Sequence, residues 1–310
     1  MTDDFSERLV EGLNATYGSH AGHRAAHAKG VLCAATFTPS PSASALSRAP
    51  HFAGPPVRAH VRFSNGSGDP STPDAVRDAR GMAVKFYLPE GGTTDVVTIS
   101  LPAFFARTPA DLMAFNAARR PDPATGQPDA EKVGKYLGDH PEAVPAVTAA
   151  ITHPIPASYA ALTYHSLHAF GFVAADDGVR HGRYRMAPEG GEASLTDEEA
   201  AQKSPDYLRE ELEARLARGP AVFDVELQLA ADGDPLDDPT AQWPDDREVV
   251  SLGRLSITAL AFDREQDGDI LVFDPTRVPD GIRLSDDQIL LARPGAYSVS
   301  VARRTGSAGG

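Results

Sequence analysis

VRFSNGSGDPSTPDAVRDARGMAVKFY, residues 61–87, holds two strand-like runs around a loop that repeats basic and acidic residues, Arg77-Asp78-Ala79-Arg80-Gly81. On the N-terminal side Val57, Ala59, Val61 and Phe63 alternate with Arg58, His60, Arg62 and Ser64. On the C-terminal side Met82, Val84 and Phe86 alternate with Ala83, Lys85 and Tyr87. Period-two alternation predicts half-buried strands. It places Arg62 and Ser64 together on one face, where a positive charge can meet an anionic ligand.

Working outward, the chain has 310 residues, 41% of them hydrophobic and 23% charged, ordinary values for a globular protein. The formal charge of −14 argues against non-specific binding to nucleic acid or to an anionic membrane, since both need a basic surface. Cys33 is the only cysteine, so an intramolecular disulfide and a thiolate metal cluster are both excluded. No apolar run approaches the roughly 18 residues of a membrane span. The start of the chain, MTDDFSERLVEGL, is acidic and amphipathic, and the expected compartment is the cytoplasm.

Phe5, Leu9 and Leu13 predict an N-terminal helix. His23 and His27 are four apart, which on a helix would suit a metal pair, but no HExxH glutamate lies between them. On spacing alone they read as ordinary surface or core histidines. Residues 109–152 read as helical pieces divided by prolines, and Leu208, Leu212 and Leu216 stripe a helix capped by Ser204. Val222, Val225, Leu227 and Leu229 mark an apolar strand. The acidic segment 231–247 lacks EF-hand spacing and reads as a solvated loop. A last helix is expected after Ser285 as cap, with Asp286 and Asp287 at its positive end and a kink at Pro294-Gly295. Arg293 and Tyr297 then share a face, a weak signal by itself. About eight strands of the alternating kind suit an antiparallel barrel.

Read as ordered motifs, the chain resembles the catalase superfamily. VRFS is followed by D-x-V-R-D-x-R-G-x-A-V-K-F-Y, preceded by R-A-A-H-A-K-G, and completed by R-x-x-A-Y at Arg293–Tyr297. The resemblance implies an α+β fold, an eight-stranded antiparallel β-barrel with surrounding helices, forming one heme-binding domain over residues 1–310. It implies heme b as cofactor, with Tyr297 as the axial ligand of the iron and Arg293 supporting the tyrosinate. It places His27 over the distal face as general base, with Ser64 orienting it, and assigns Arg24, Arg62 and Arg304 to the cofactor's carboxylates. Phe104 is expected to pack on the heme, and Leu112 to line a channel. One position departs from the pattern: the asparagine that assists the distal histidine falls on Ile99, next to Ser100.

That departure, together with the short chain, resembles the small catalase-related peroxidase group. The implied activity is reduction of hydrogen peroxide or an organic hydroperoxide by a small organic reductant, with weak or no catalase turnover. A true small catalase, a heme-dependent oxygenase or hydroperoxide-rearranging enzyme, and a non-catalytic heme carrier or sensor stand as alternatives. No nucleic-acid or membrane partner is expected, and a homodimer is assumed without a sequence feature to carry it.

Overall fold

The two runs flanking the 66–79 loop pair with each other, Phe63 opposite Met82 and Ser64 opposite Gly81, in a computed structural model describing residues 2–262 and 270–306. In chain order the strands are β1 (Gly30–Pro39), β2 (Val57–Asn65), β3 (Arg80–Tyr87), β4 (Thr93–Ile99), β5 (Ile155–Pro156) and β6 (Tyr164–His165). They continue as β7 (Phe170–Val173), β8 (Val179–Pro188), β9 (Ser194–Leu195), β10 (Ala221–Leu229), β11 (Val249–Leu260) and β12 (Ile282–Leu284). The helices are α1 (Thr2–Tyr17), α2 (Pro41–Leu46), α3 (Pro109–Ala118), α4 (Ala130–Asp139), α5 (Val144–Ile151), α6 (Asp197–Ala200), α7 (Tyr207–Leu216) and α8 (Gln288–Gly306).

The sheet runs β10-β11-β1-β2-β3-β4-β6-β8, and β8 returns to pair with β10. That pairing closes the expected eight-stranded antiparallel barrel and leaves none of the eight strands as an open edge. β7 and β12 extend it beyond β8. The interior is filled by aromatic rings: Phe63 stacks on Tyr159 at 5.4 Å, and Phe37 meets Phe86 edge-on at 5.2 Å. Along β10 the buried residues are Ala221, Phe223, Val225, Leu227 and Leu229, so the inward register starts at Ala221 and Val222 faces out, a correction to the expected stripe.

The leucine stripe of α7 is buried as its spacing predicts, Leu208 and Leu212 completely. Its cap is not Ser204. The helix begins at Tyr207, and the buried carboxylate of Asp74, far away in sequence, accepts the Leu208 amide at 2.9 Å. Likewise α8 is capped by Asp287 rather than Ser285. Asp287 Oδ1 accepts the amides of Ile289 (2.8 Å) and Leu290 (3.2 Å), and the helix continues through Pro294. Residues 18–29 form turns and loop, so His23 and His27 do not share a helix face. No helix among the described residues is long and apolar enough to cross a membrane.

β2 explains where the site lies. Val57, Ala59, Val61 and Phe63 face the interior, while the opposite face is exposed at Arg58 and buried by Arg62 and Ser64. Something therefore covers the outer wall at the strand's end, and α1 and α8 are part of that cover.

Candidate active site

Between the outer wall of β2–β4 and helices α1 and α8 lies a cavity enclosing about 950 Å³ of empty space, its mouth included. The barrel floor is set by register: Arg62, Ala83 and Val97 form one cross-strand row, and Ser64, Gly81 and Ile99 the next. Opposite them, α8 presents Arg293, Ala296, Tyr297, Ser300, Val301 and Arg304, one stripe at helical spacing. α1 closes one side with Val10 and Leu13, and Val272 and Phe273 close another. The helices approach closely because residue 295 is glycine; a Cβ there would stand 2.2 Å from Ser6 Oγ.

Seven of the eight residues expected at the site, Arg24, His27, Arg62, Ser64, Arg293, Tyr297 and Arg304, line this cavity. Phe104 does not line it. It packs beside Ile99, Leu101 and Leu167, with its ring 4.2 Å from that of Phe105. Leu112, on α3, is also absent from the lining.

His27 is held from every side. Its backbone is left-handed (φ 55°), a conformation that costs a non-glycine residue about 1 kcal/mol. Its amide donates to Gly66 O (3.2 Å), and its carbonyl accepts from Arg62 Nη1 (3.1 Å). Arg62 Nη2 donates to the next carbonyl, Ala28 O, at 3.2 Å. The ring's Nδ1 lies 3.0 Å from Ser64 Oγ. Gly81 makes this possible: a Cβ at that position would come 2.7 Å from Ser64 Oγ and 3.0 Å from His27 Nδ1. Burial, and then the positive charges of Arg62, Arg293 and Arg24, push the imidazole down to about 3. The ring is therefore neutral at physiological pH. The contact with Ser64 takes up Nδ1 and leaves Nε2 as the other ring nitrogen.

On the opposite wall Arg293 Nη1 donates to Tyr297 Oη at 3.4 Å, one helical turn away. Arg24 Nη2 donates to Leu271 O (3.0 Å), and Arg304 Nε to Ser300 O (3.3 Å). A phenol backed by a guanidinium, three further arginines around the same space, and a floor of glycine and alanine fit a flat, iron-bearing, dicarboxylate cofactor.

Ile99 is nine-tenths buried and forms apolar wall. Its polar neighbours do not substitute for an amide. Thr98 Oγ1 donates to Met82 O (2.7 Å), and Ser100 Oγ accepts the Arg80 amide (2.9 Å).

Two buried pairings behind the site escape sequence reasoning. His168 and Asp287 are both buried, with Nδ1 and Oδ2 2.6 Å apart. They tie the start of α8 to the turn between β6 and β7, and burial holds the His168 ring below the ordinary imidazole range against the pull of Asp287. The wall at Val272 and Phe273 is held by Lys85, whose Nζ donates to Val272 O (2.9 Å) and pairs with buried Asp95 (2.6 Å). Asp95 also accepts the Asp274 amide (2.9 Å) and Arg277 Nη1 (2.6 Å). Asp95 lies on β4, but two of its partners lie about 180 residues on.

A closed antiparallel barrel with a tyrosine–arginine helix facing a half-buried histidine on a buried serine across one outer-wall cavity defines a class of heme-binding proteins. The profile of the family Catalase matches residues 7–308. The chain is 42% identical to a catalase-related peroxidase of Mycolicibacterium paratuberculosis, over 97% of this chain and 95% of that one. It is 32% identical to a catalase-related peroxidase of Synechococcus elongatus, over 96% and 88%. Among solved structures, a bacterial catalase superimposes with a TM-score of 0.81 at 26% identity, covering 92% of this chain and 58% of that one. This chain belongs to the catalase family, and that membership implies a heme cofactor.

Proposed function

We propose that the chain is a heme b peroxidase, acting as a single domain, that reduces hydrogen peroxide or an organic hydroperoxide with a small organic donor and turns over little as a catalase. The observation carrying this reading is that His27, Tyr297 and Ile99 line one cavity, so that an apolar side chain stands where a polar partner of the histidine would be needed. Relatives of nearly the same length bear the name catalase-related peroxidase, which supports it.

In this reading Tyr297 holds the iron, and Arg293 stabilises the negative phenolate oxygen. Arg24, Arg62 and Arg304 take the two carboxylates of the cofactor. When bound, heme supplies the redox-active iron that lets the peroxide O–O bond break. His27 Nε2 accepts the proton of the near peroxide oxygen and returns it to the far one, which leaves as water or alcohol. Ser64 keeps the ring in the tautomer that leaves Nε2 free to do so. A second hydrogen peroxide acting as reductant would need a second polar anchor beside His27. Ile99 supplies none, and Thr98 gives its hydroxyl proton to Met82 O.

Stopped-flow absorbance of the heme-loaded protein tests the proposal. Mixing with hydrogen peroxide should change the Soret band, and the ferric spectrum should return only on adding a catechol. Rapid return with oxygen release and no donor would identify a true catalase. An unchanged spectrum would identify a carrier or sensor.

A further inference from the structure

Outside the cavity, the start of α3 and the end of α4 bring three metal-ligating side chains together. Asp111 stands in the first turn of α3, His140 is the C-cap of α4, and Glu142 lies in the short turn that follows, Pro141–Ala143. Each offers one ligand atom, and these atoms all lie within 4.8 Å of one another. All three residues are half-buried, and none lines the cavity.

Two of the three are oriented by contacts of their own. Asp111 completes a capping box: its amide donates to Thr108 Oγ1 (3.2 Å), and its Oδ2 accepts the Thr108 amide (2.9 Å). That fixes the carboxylate and leaves Oδ1 as its second oxygen. The His140 ring stacks on Tyr136, with centroids 4.4 Å apart and planes at 23°, and its Nδ1 lies 3.1 Å from Glu142 Oε1. Among the described residues no lysine or arginine pairs with Asp111 or Glu142, and His140 is the one basic partner of Glu142. Burial, and then the negative charges of Asp111 and Glu142, push the Tyr136 phenol up to about 12. Two carboxylates thus share a small space without a permanent cation between them.

We propose that Asp111, His140 and Glu142 form a divalent metal site, and that Zn²⁺ is the ion it takes. One imidazole nitrogen and two carboxylate oxygens, with water in the fourth position, make a tetrahedral donor set that suits zinc. Mg²⁺ and Ca²⁺ prefer oxygen ligands and gain little from the imidazole. Bonds of about 2.0–2.2 Å put tetrahedral ligand atoms about 3.3 Å apart. Closing to that spacing from at most 4.8 Å asks for rotation of the Glu142 side chain, which is 37% exposed. The ion acts as a clamp, tying α3 to α4 where Tyr136 Oη donates to Phe105 O (3.1 Å) and the rings of Phe105 and Phe115 meet at 4.4 Å.

Calorimetric titration of ZnCl₂ into the heme-loaded full chain tests the site. It should show one zinc per chain with a Kd of about micromolar order, unchanged by Ca²⁺ at about 1 mM. Zinc at about one hundred times Kd should raise Tm by about 4 °C. Asp111→Asn, which keeps an oxygen for the Thr108 amide, His140→Gln and Glu142→Gln should each weaken binding by about tenfold or more and cancel the rise in Tm. His181→Gln, on β8, should bind zinc as the wild type does. The Soret band and the zinc-free Tm of each variant check that it folds. Zinc-edge anomalous diffraction from wild-type crystals, which needs no variant, should place the ion between the three side chains. Absence of a stoichiometric site in the wild type, an isotherm unaltered in all three variants, or an anomalous peak only elsewhere would overturn the assignment.

Discussion

Removing the Asp287 carboxylate should loosen the helix that carries Tyr297, and the size of the effect can be worked from its contacts. Asp287 Oδ1 accepts two amides at the start of α8, and losing a side-chain cap costs about 1 kcal/mol. Asp287 Oδ2 is the partner of His168 Nδ1, and His168 Nε2 already has no hydrogen-bond partner. In Asp287→Ala the ring would be fully buried with neither nitrogen paired, at a cost of about 1–3 kcal/mol. The sum is about 3 kcal/mol, a large part of the stability of an ordinary domain.

Urea unfolding measures it. With a slope near 3 kcal/mol per molar, the midpoint should fall by about 1 M. Asp287→Asn keeps an oxygen for the helix amides and a polar group toward His168, so it should lose about 1 kcal/mol or less. The distinguishing readout is at the site. Heme should leave Asp287→Ala faster than wild type, with a shifted Soret band, and Asp287→Asn should retain it. Equal losses in the two variants, or a loss below about 1 kcal/mol in the alanine variant, would show that the pair does not anchor α8.

Gly81→Ala should displace His27 and Ser64, cost about 1–3 kcal/mol, and slow the reaction with peroxide, checked by unfolding and stopped-flow together; wild-type kinetics would show that the space is not needed. Tyr297→Phe should lose heme or change its charge-transfer bands, and an unaltered spectrum would remove Tyr297 as ligand. His27 and His51 are both pushed by burial to about 3, below an unfolded value near 6.5, so the unfolded chain binds more protons between those limits. Their contribution to stability is complete above about pH 6.5 and falls with pH below it, by about 2 kcal/mol each at pH 5. A urea midpoint that stays constant between pH 7.5 and 5 would refute this, and His51→Phe should flatten the slope.

What could be read from the sequence was what the chain writes locally. Alternation over 57–64 and 82–87 gave β2, β3 and the shared face of Arg62 and Ser64, because register carries side-chain direction with it. The spacing of Arg293, Tyr297 and Arg304 gave the cavity face of α8. The helix caps were misplaced because the groups that satisfy the helix starts are chosen by tertiary structure. Asp74 serves α7 from across 134 residues, and Asp287 is itself fixed by a histidine 119 residues away. Phe104, expected against the cofactor, packs with a neighbouring cluster of Ile99, Leu101 and Leu167. Nothing in local pattern distinguishes an aromatic that faces a cavity from one that packs beside it.

His27 shows why the site needed both kinds of information. On spacing alone it reads as an ordinary surface or core histidine, with no reason to meet Ser64. The chain instead places it in the left-handed region, at a cost, and three separate devices keep it there: the carbonyl of Gly66, the fork of Arg62 on two successive carbonyls, and the missing side chain of Gly81. All three lie in the 61–87 stretch, on the strands or the loop between them. The same barrel wall that packs the core therefore also fixes the histidine. That coupling explains how an imidazole surrounded by cations can stay in one orientation while its basic nitrogen remains available. It also predicts that a side chain at Gly81 will disturb the His27–Ser64 contact and the fold together.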